Sequence, residues 1–372
     1  MTKPTEDEML YNVALSLMPK IGPGVYKNIV SYSGSARRFF EMPKGKAGKI
    51  PGVGPKLLAL QTDKGNYLKQ AAALIEEADK SGIRMLSYWD PMYPKRLKGL
   101  SDAPILLFLK GNVDLNPTRS IGIVGTRNAT TYGKSITSKI VEELAPYQPT
   151  VISGLAYGID VEAHRAALQY DLPTIGVLGT PIERIYPAHH KPIAAQMMKI
   201  GGLVSEYPAT AALNPSNFPQ RNRIIAGLSD ALIVVEAAKK GGALITAEIA
   251  YSYNREVFAV PGNLQSTFSE GCNNLIRSMK AGIYMGPREL EETLSWHKPH
   301  QEPVPTIKVN LDNLEQAERC IMETLIEKGA MEIDKLSWET SLPLSILAAK
   351  LLNLEFQGFI KALPGKKYAS LE

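Results

Sequence analysis

The side chains best suited to chemistry lie in short loops that follow apolar runs. After Ile121–Val124 comes Gly125-Thr126-Arg127-Asn128-Ala129-Thr130-Thr131-Tyr132-Gly133-Lys134-Ser135, and after Thr150–Ser153 comes Gly154-Leu155-Ala156-Tyr157-Gly158-Ile159-Asp160. A third loop carries Phe218-Pro219-Gln220-Arg221-Asn222-Arg223, and a fourth Ala237-Ala238-Lys239-Lys240-Gly241-Gly242. Glycine-freed amides, hydroxyls and forked cations together suit phosphate. The spacing excludes the standard nucleotide fingerprints. A P-loop needs four residues between its first glycine and Gly-Lys-Ser/Thr, whereas seven separate Gly125 from Gly133. Gly122 and Gly125 do not form Gly-x-Gly-x-x-Gly, which counts against a dinucleotide-dependent oxidoreductase. Several basic loops point instead to a groove that contacts many phosphates, with Gly125, Thr126, Arg127, Lys134, Ser153, Gly154, Gly158, Arg221, Arg223, Lys239 and Lys240 as its candidate residues. The alternative is internal pairing of each Arg with Glu206, Asp160 or Glu236. Tyr132, Tyr157, Tyr186, Tyr207 and Phe218 could stack on bases or serve as core.

Signals for catalysis and metal binding are weak. His189-His190 lacks a third ligand at metal spacing, and neither His-Glu-x-x-His nor Cys-x-x-Cys occurs. Cys272 has no evident activating base. No catalytic residue, metal or cofactor is expected. One enzymatic alternative remains. Gly241-Gly242-Ala243-Leu244-Ile245-Thr246-Ala247-Glu248 approaches the Pro-Gly-Gly-x-Gly-Thr-x-x-Glu signature of Rossmann-like nucleotide N-glycosidases, but Leu244 and Ile245 replace its Gly-Thr.

These loops need a scaffold, and the surrounding pattern predicts one. The runs Ile121–Val124, Thr150–Ser153, Thr174–Leu178, Leu203–Ser205, Ala231–Glu236 and Val257–Val260 are apolar throughout, as in strands covered on both faces. Helical stretches alternate with them, so the fold class is α/β, a Rossmann-like doubly wound and mainly parallel sheet over 83–296. Residues 1–82 read as helices at Glu8–Met18, Val25–Tyr32, Lys56–Leu60 and Tyr67–Ser81. Between them Ile21-Gly22-Pro23-Gly24 and Pro51-Gly52-Val53-Gly54-Pro55-Lys56 resemble helix-hairpin-helix turns, which predicts a helix-hairpin-helix or SAM-like domain. Gly52, Gly54 and Lys56 form a possible DNA-binding hairpin, and packing alone is the other reading. A Pro-rich linker spans 297–310. Three helical stretches and a hairpin over 311–372 suggest a winged helix.

The chain has 372 residues, a net charge of +5 and two cysteines, Cys272 and Cys320. That cysteine usage fits a reducing cytoplasm, and no apolar run reaches the ~20 residues of a membrane span. The N-terminus, Met1-Thr2-Lys3-Pro4-Thr5-Glu6-Asp7-Glu8, lacks the features of a secretory signal. Lys3 to Arg84 holds 13 Lys/Arg against 8 Asp/Glu, while Leu311 to the end holds 7 against 10. A basic head suggests a polyanionic partner, and the acidic tail would repel one.

In order, the loops closely resemble the DNA-processing protein A (DprA/Smf) family. The resemblance rests on Tyr93-Pro94, Val124-Gly125-Thr126-Arg127, Ser153-Gly154-Leu155-Ala156, Gly158-Ile159-Asp160, Ala163-His164 and Ser205-Glu206-Tyr207-Pro208. It continues through Phe218-Pro219, Arg221-Asn222-Arg223-Ile224, Val234-Val235-Glu236-Ala237, Ala259-Val260-Pro261-Gly262 and Gly271-Cys272-Asn273. Two departures are Gly179-Thr180-Pro181, which lacks a second glycine, and Met279-Lys280-Ala281-Gly282, which replaces a Gly-Ala. The resemblance implies a homodimeric, single-stranded-DNA-binding recombination mediator that protects incoming DNA and helps load a RecA-type recombinase in natural transformation. It also implies that Arg127, Arg221 and Arg223 contact phosphates while Gly154 and Gly158 shape the pocket.

Overall fold

The computed structural model describes residues 6–296, 314–357, 359–363 and 367–370. The linker predicted over 297–310 lies outside them. The chain forms two compact units, Met1–His297 and Lys298–Glu372.

The first unit begins with six helices: α1 (Glu6–Leu17), α2 (Pro23–Ser33), α3 (Ala36–Glu41), α4 (Lys44–Ala47), α5 (Pro55–Gln61) and α6 (Lys64–Lys80). Of these, α3 and α4 add to the four that periodicity predicts. Helices α2 and α5 each start with proline after an extended glycine, Gly22 and Gly54, a placement that uses proline's preset φ and its missing donor. The two Gly-x-Gly turns lie against one another. Asn28 Nδ2 donates to the Pro51 carbonyl at 3.2 Å. Gly52, at φ +89°, leaves room for Val25, whose side chain lies 3.0 Å from where a Cβ would stand.

The sheet follows, with its helices, as β1 (Arg84–Ser87), α7 (Lys95–Lys98), β2 (Leu106–Gly111), β3 (Ser120–Gly125), α8 (Thr131–Leu144), β4 (Thr150–Ser153) and α9 (Ile159–Gln169). It continues with β5 (Thr174–Leu178), α10 (Lys191–Ile200), β6 (Gly202–Ser205), α11 (Asn217–Leu228) and β7 (Ala231–Val235). It ends with α12 (Gly242–Ser252), β8 (Glu256–Ala259), α13 (Glu270–Arg277), β9 (Gly282–Ile283) and α14 (Arg288–Leu294). The strand order is β1-β2-β6-β5-β4-β3-β7-β8-β9. From β6 to β9 all neighbours are parallel, as predicted. Strands β1 and β2, which apolar runs alone did not single out, extend the sheet: β1 pairs antiparallel with β2, and β2 antiparallel with β6. The chain winds outward from β3 through β4 and β5, then returns to place β7 on the other side of β3. That reversal opens a crevice between β3 and β7, where ligands of such sheets bind.

One face of the sheet packs Ile121, Ile123 and Val151 against α8 and α9. The other buries Val124, Ile152 and Val177 in a core that also holds Val13, Tyr26 and Phe39 of the helical layer. The boundary read at residue 82 therefore falls inside one continuous core. The arm between β1 and β2 joins the layers. Tyr93 is buried and donates to Pro104 O at 2.7 Å, and Arg96 grips Asp230 through two contacts of 2.6 and 2.8 Å. Lys27 of α2 donates to Leu100 O at 2.6 Å.

The second unit contains α15 (Gln316–Lys328), β10 (Met331–Glu332), α16 (Ile333–Thr340), α17 (Leu344–Phe356), β11 (Ile360–Leu363) and β12 (Lys367–Ser370). Its three strands pair in the order β10-β12-β11 over a core that includes Ile321, Leu336 and Leu351. Three helices and a small antiparallel sheet are the winged-helix arrangement that the sequence predicts.

Candidate functional site

At the β3/β7 crevice lies a cleft of about 520 Å³. Its floor is the end of β3, Val124-Gly125, and its walls come from the loops after β3, β4 and β7 and from the first turns of α11 and α12. Backbone packing builds the floor. A Cβ on Gly125 would collide with the Val235 carbonyl, and one on Gly158 (φ +79°) with the Thr126 carbonyl. Ile159 N–H donates to Thr126 O at 3.2 Å, which closes the β3 loop onto the start of α9. Both glycines are required by close main-chain contact.

Gly125, Thr126, Arg127, Arg221 and Lys240 of the predicted set line the cleft, joined by Asp160, Asn222 and Thr246. Arg127 and Lys240 are exposed, and among the described residues neither has a carboxylate partner. Arg221 differs from them. It is 4% exposed, donates to Gly154 O at 2.7 Å and also donates to Val177 O. Burial lowers its pKa to about 10 against the opposing field of Asp160, with Arg127 adding to the pull, so it stays charged near neutrality. Burial correspondingly raises the Asp160 carboxyl, while Arg221 and the Gly154 N–H at 3.2 Å favour its ionised form. Gly154 sits between the two side chains, and a Cβ there would stand 2.6 Å from Asp160 and 2.7 Å from Arg221. Arg221 is thus a wall of the cleft, held by carbonyls, with little of its guanidinium left for a ligand.

Other predicted residues lie elsewhere. Arg223 points away from the cleft and pairs with Glu206, one of the internal partners the sequence offered. Both side chains are largely buried, so the pair ties α11 to the end of β6. Ser153 is buried and donates to Ile123 O at 2.6 Å, a bond between strands. Lys134 lies on the exposed flank of α8 beside Ser138 and Glu142, outside the cleft. Lys239 faces Glu270 at 3.6 Å. Gly52, Gly54 and Lys56 are exposed in the helical layer and do not line the cleft.

The sequence reading missed the task of Glu236. Its buried carboxylate accepts from Thr130 N–H at 2.9 Å and from the Thr130 hydroxyl, while its carbonyl accepts from Thr126 N–H at 2.7 Å. The N-terminus of α8, which looked open to phosphate, is therefore occupied by a resident carboxylate. Gly133 was the available signal, because a Cβ there would strike that carboxylate. Helix α12 is the opposite case. Gly241 caps it with no side-chain hydrogen bond, and Gly241, Gly242 and Ala243 open directly onto the cleft. Its first amides and positive dipole end face the cleft without a side-chain cap, an arrangement that suits an anion and that α8 does not offer. Glu248 lies farther along α12, outside the cleft, paired with Lys280 at 2.7 Å. Cys272 is fully buried, and burial pushes its thiol up to about 12, which leaves no nucleophile there.

An open, mainly parallel α/β sheet with a cationic cleft at its switch point, in a chain that also carries a winged helix, defines a two-unit protein of Rossmann-like type. The family described as DNA recombination-mediator protein A matches residues 84–295, and the DprA winged helix domain matches 307–366. The chain belongs to the DNA recombination-mediator protein A (DprA/Smf) family. It is 31% identical to Protein Smf of Synechocystis over 394 residues, covering 97% of this chain and 98% of that protein. Identity to DNA processing protein DprA of Streptococcus pneumoniae is 40% over 206 residues, 55% of this chain and 73% of that protein. The X-ray structure of the Streptococcus pneumoniae protein aligns with 76% of this chain and 96% of its own at a TM-score of 0.66 and 30% identity. A solved structure of DNA processing protein A from Helicobacter pylori, described for its single-stranded DNA binding mode, aligns with 58% of this chain and 97% of its own at a TM-score of 0.52 and 28% identity.

Proposed function

We propose that this chain is a non-catalytic recombination mediator that binds single-stranded DNA through its phosphates in the β3/β7 cleft. One observation carries the reading: Arg127, Lys240 and the uncapped start of α12 converge on the cleft, whose lining has three cations and the single carboxylate of Asp160. A strand threaded there would set its phosphates against Arg127, Lys240 and the first amides of α12. The placement of Glu248, outside the cleft and paired with Lys280, favours binding over N-glycosidic cleavage. Relatives named for DNA processing, and a solved relative described for single-stranded DNA binding, support the same reading.

The finer role we infer is cytoplasmic: protecting incoming single strands and helping to load a RecA-type recombinase during natural transformation, as a homodimer. The sheet supports dimerisation because β9 is its last strand, with Met279, Ile283 and Met285 exposed beside it. An unpaired edge with apolar side chains is a surface that a second copy would cover.

Fluorescence anisotropy with a labelled single strand tests the binding. The Arg127→Ala/Lys240→Ala variant is expected to bind weakly and to flatten the slope of log affinity against log salt by about 1.4, the value for two lost phosphate contacts on a single strand. An unchanged slope and affinity would refute the cleft as the phosphate site. Recombinase loading is read as faster onset of recombinase ATP hydrolysis on strands precoated with single-strand-binding protein.

A further inference from the structure

We infer that Tyr157 and Tyr186 form a base-stacking platform on the rim of the cleft, next to the phosphate site. The inference rests on the single-strand reading above and adds a second contact chemistry to it.

Large aromatic side chains are usually buried, yet Tyr157 and Tyr186 are 49% and 55% exposed. Each is braced on one side. The Tyr157 ring meets the His190 ring edge-on at 5.0 Å between centroids, and the Tyr186 ring meets Phe218 at 5.4 Å. The braces are themselves fixed. His190 is nearly buried and its Nδ1 bonds the Leu155 carbonyl at 2.8 Å, which locks the loop after β5 onto the loop after β4. Phe218 packs over Gly179, where a Cβ would stand 2.8 Å from the ring.

Both tyrosines follow strands of the parallel sheet, so they emerge at the same edge as the cleft. They also adjoin its lining directly: Tyr157 follows Ala156 in the chain, and Tyr186 rests on Phe218. Phosphates held at Arg127, Lys240 and α12 leave the bases of the same strand facing the rim. Two immobilised rings with an open side cost little ordering entropy when a base stacks on them. Tyr132, also exposed at 54%, shares no ring contact with this group among the described residues and is left out. The platform takes any base, because every base offers a π-face.

The test is anisotropy titration of wild type, Tyr157→Ala, Tyr186→Ala and the two Tyr→Phe variants, on normal strands and on strands with consecutive abasic sites. Each alanine variant is expected to lose about 5- to 100-fold in affinity, with the salt slope of wild type retained. The Phe variants are expected to bind as wild type. Wild type on abasic strands is expected to show the same loss, and this arm needs no substitution at all. Abasic strands bound as tightly as normal ones by wild type, with a normal salt slope, overturn the platform and leave the phosphate site standing. Failure of wild type to bind any strand overturns both.

Discussion

Two arginines in one cleft have opposite tasks, and burial decides which is which. Arg221 satisfies the Gly154 and Val177 carbonyls and faces Asp160, so truncating it leaves a buried carboxylate uncompensated. Arg221→Ala is expected to cost about 1–3 kcal/mol of stability in urea unfolding, the range for leaving buried hydrogen-bonding groups unsatisfied. Arg127→Ala is expected to leave the unfolding midpoint unchanged and to weaken strand binding. His164 supplies a pH dependence. Its Nδ1 bonds Thr174 Oγ1 at 2.7 Å, and that hydroxyl in turn donates to Val151 O, so Nδ1 carries the proton and Nε2 is buried without a partner. Burial, with His190 and Arg221 nearby, lowers its pKa from 6.5 to about 3. Between these values the unfolded chain holds a proton that the folded one does not, so stability falls as the pH drops from 6.5 towards 3, by up to about 1.4 kcal/mol per pH unit. The raised Asp160 carboxyl works in the opposite sense at the acid end. Urea midpoints of wild type minus those of His164→Gln across this range isolate the histidine, and a flat difference would remove it as the cause.

At the level of elements, the loop after β3 is held to Glu236 by that residue's carboxylate and carbonyl, and to the start of α9 through Ile159 N–H. Glu236→Gln keeps the shape but turns an amide towards the Thr130 donors. It is expected to cost about 1–3 kcal/mol, the range for leaving buried hydrogen-bonding groups unsatisfied, measurable by thermal or urea unfolding. Gly158→Ala is expected to disturb the cleft itself, because its Cβ meets the Thr126 carbonyl at a positive φ. Reduced strand affinity with far-UV dichroism retained is the expected signature. The parallel strands were legible in the sequence because burial on both faces makes them apolar throughout. β1 and β2 were not, since an apolar run such as Leu106-Leu107-Phe108-Leu109 suits a buried helix as well as a strand. The glycines of the cleft were legible because main-chain contact demands them. The tasks of Arg223 and Glu236 were not. Each depends on a partner that only the folded chain brings close, Glu206 in one case and Thr130, 106 positions away, in the other.

For the whole molecule, the shared core makes the six N-terminal helices and the sheet one thermodynamic body. A chain starting at residue 83 would expose the faces that Val13, Tyr26 and Phe39 now cover. It is expected to aggregate or to melt well below the 1–297 fragment, which should show a single transition in calorimetry. The winged-helix unit has its own core, so removing 298–372 is expected to leave that transition in place.

The pairing of β2 with β6 sets a schedule for synthesis. The helical layer and the arm leave the ribosome first, but β2 ends at Gly111 and its partner β6 ends at Ser205. At roughly 5–20 residues per second, the interval is on the order of 5–20 s. During it, one side of the early chain has no strand to pair with. The nascent N-terminal third therefore carries an open strand edge until β6 is made.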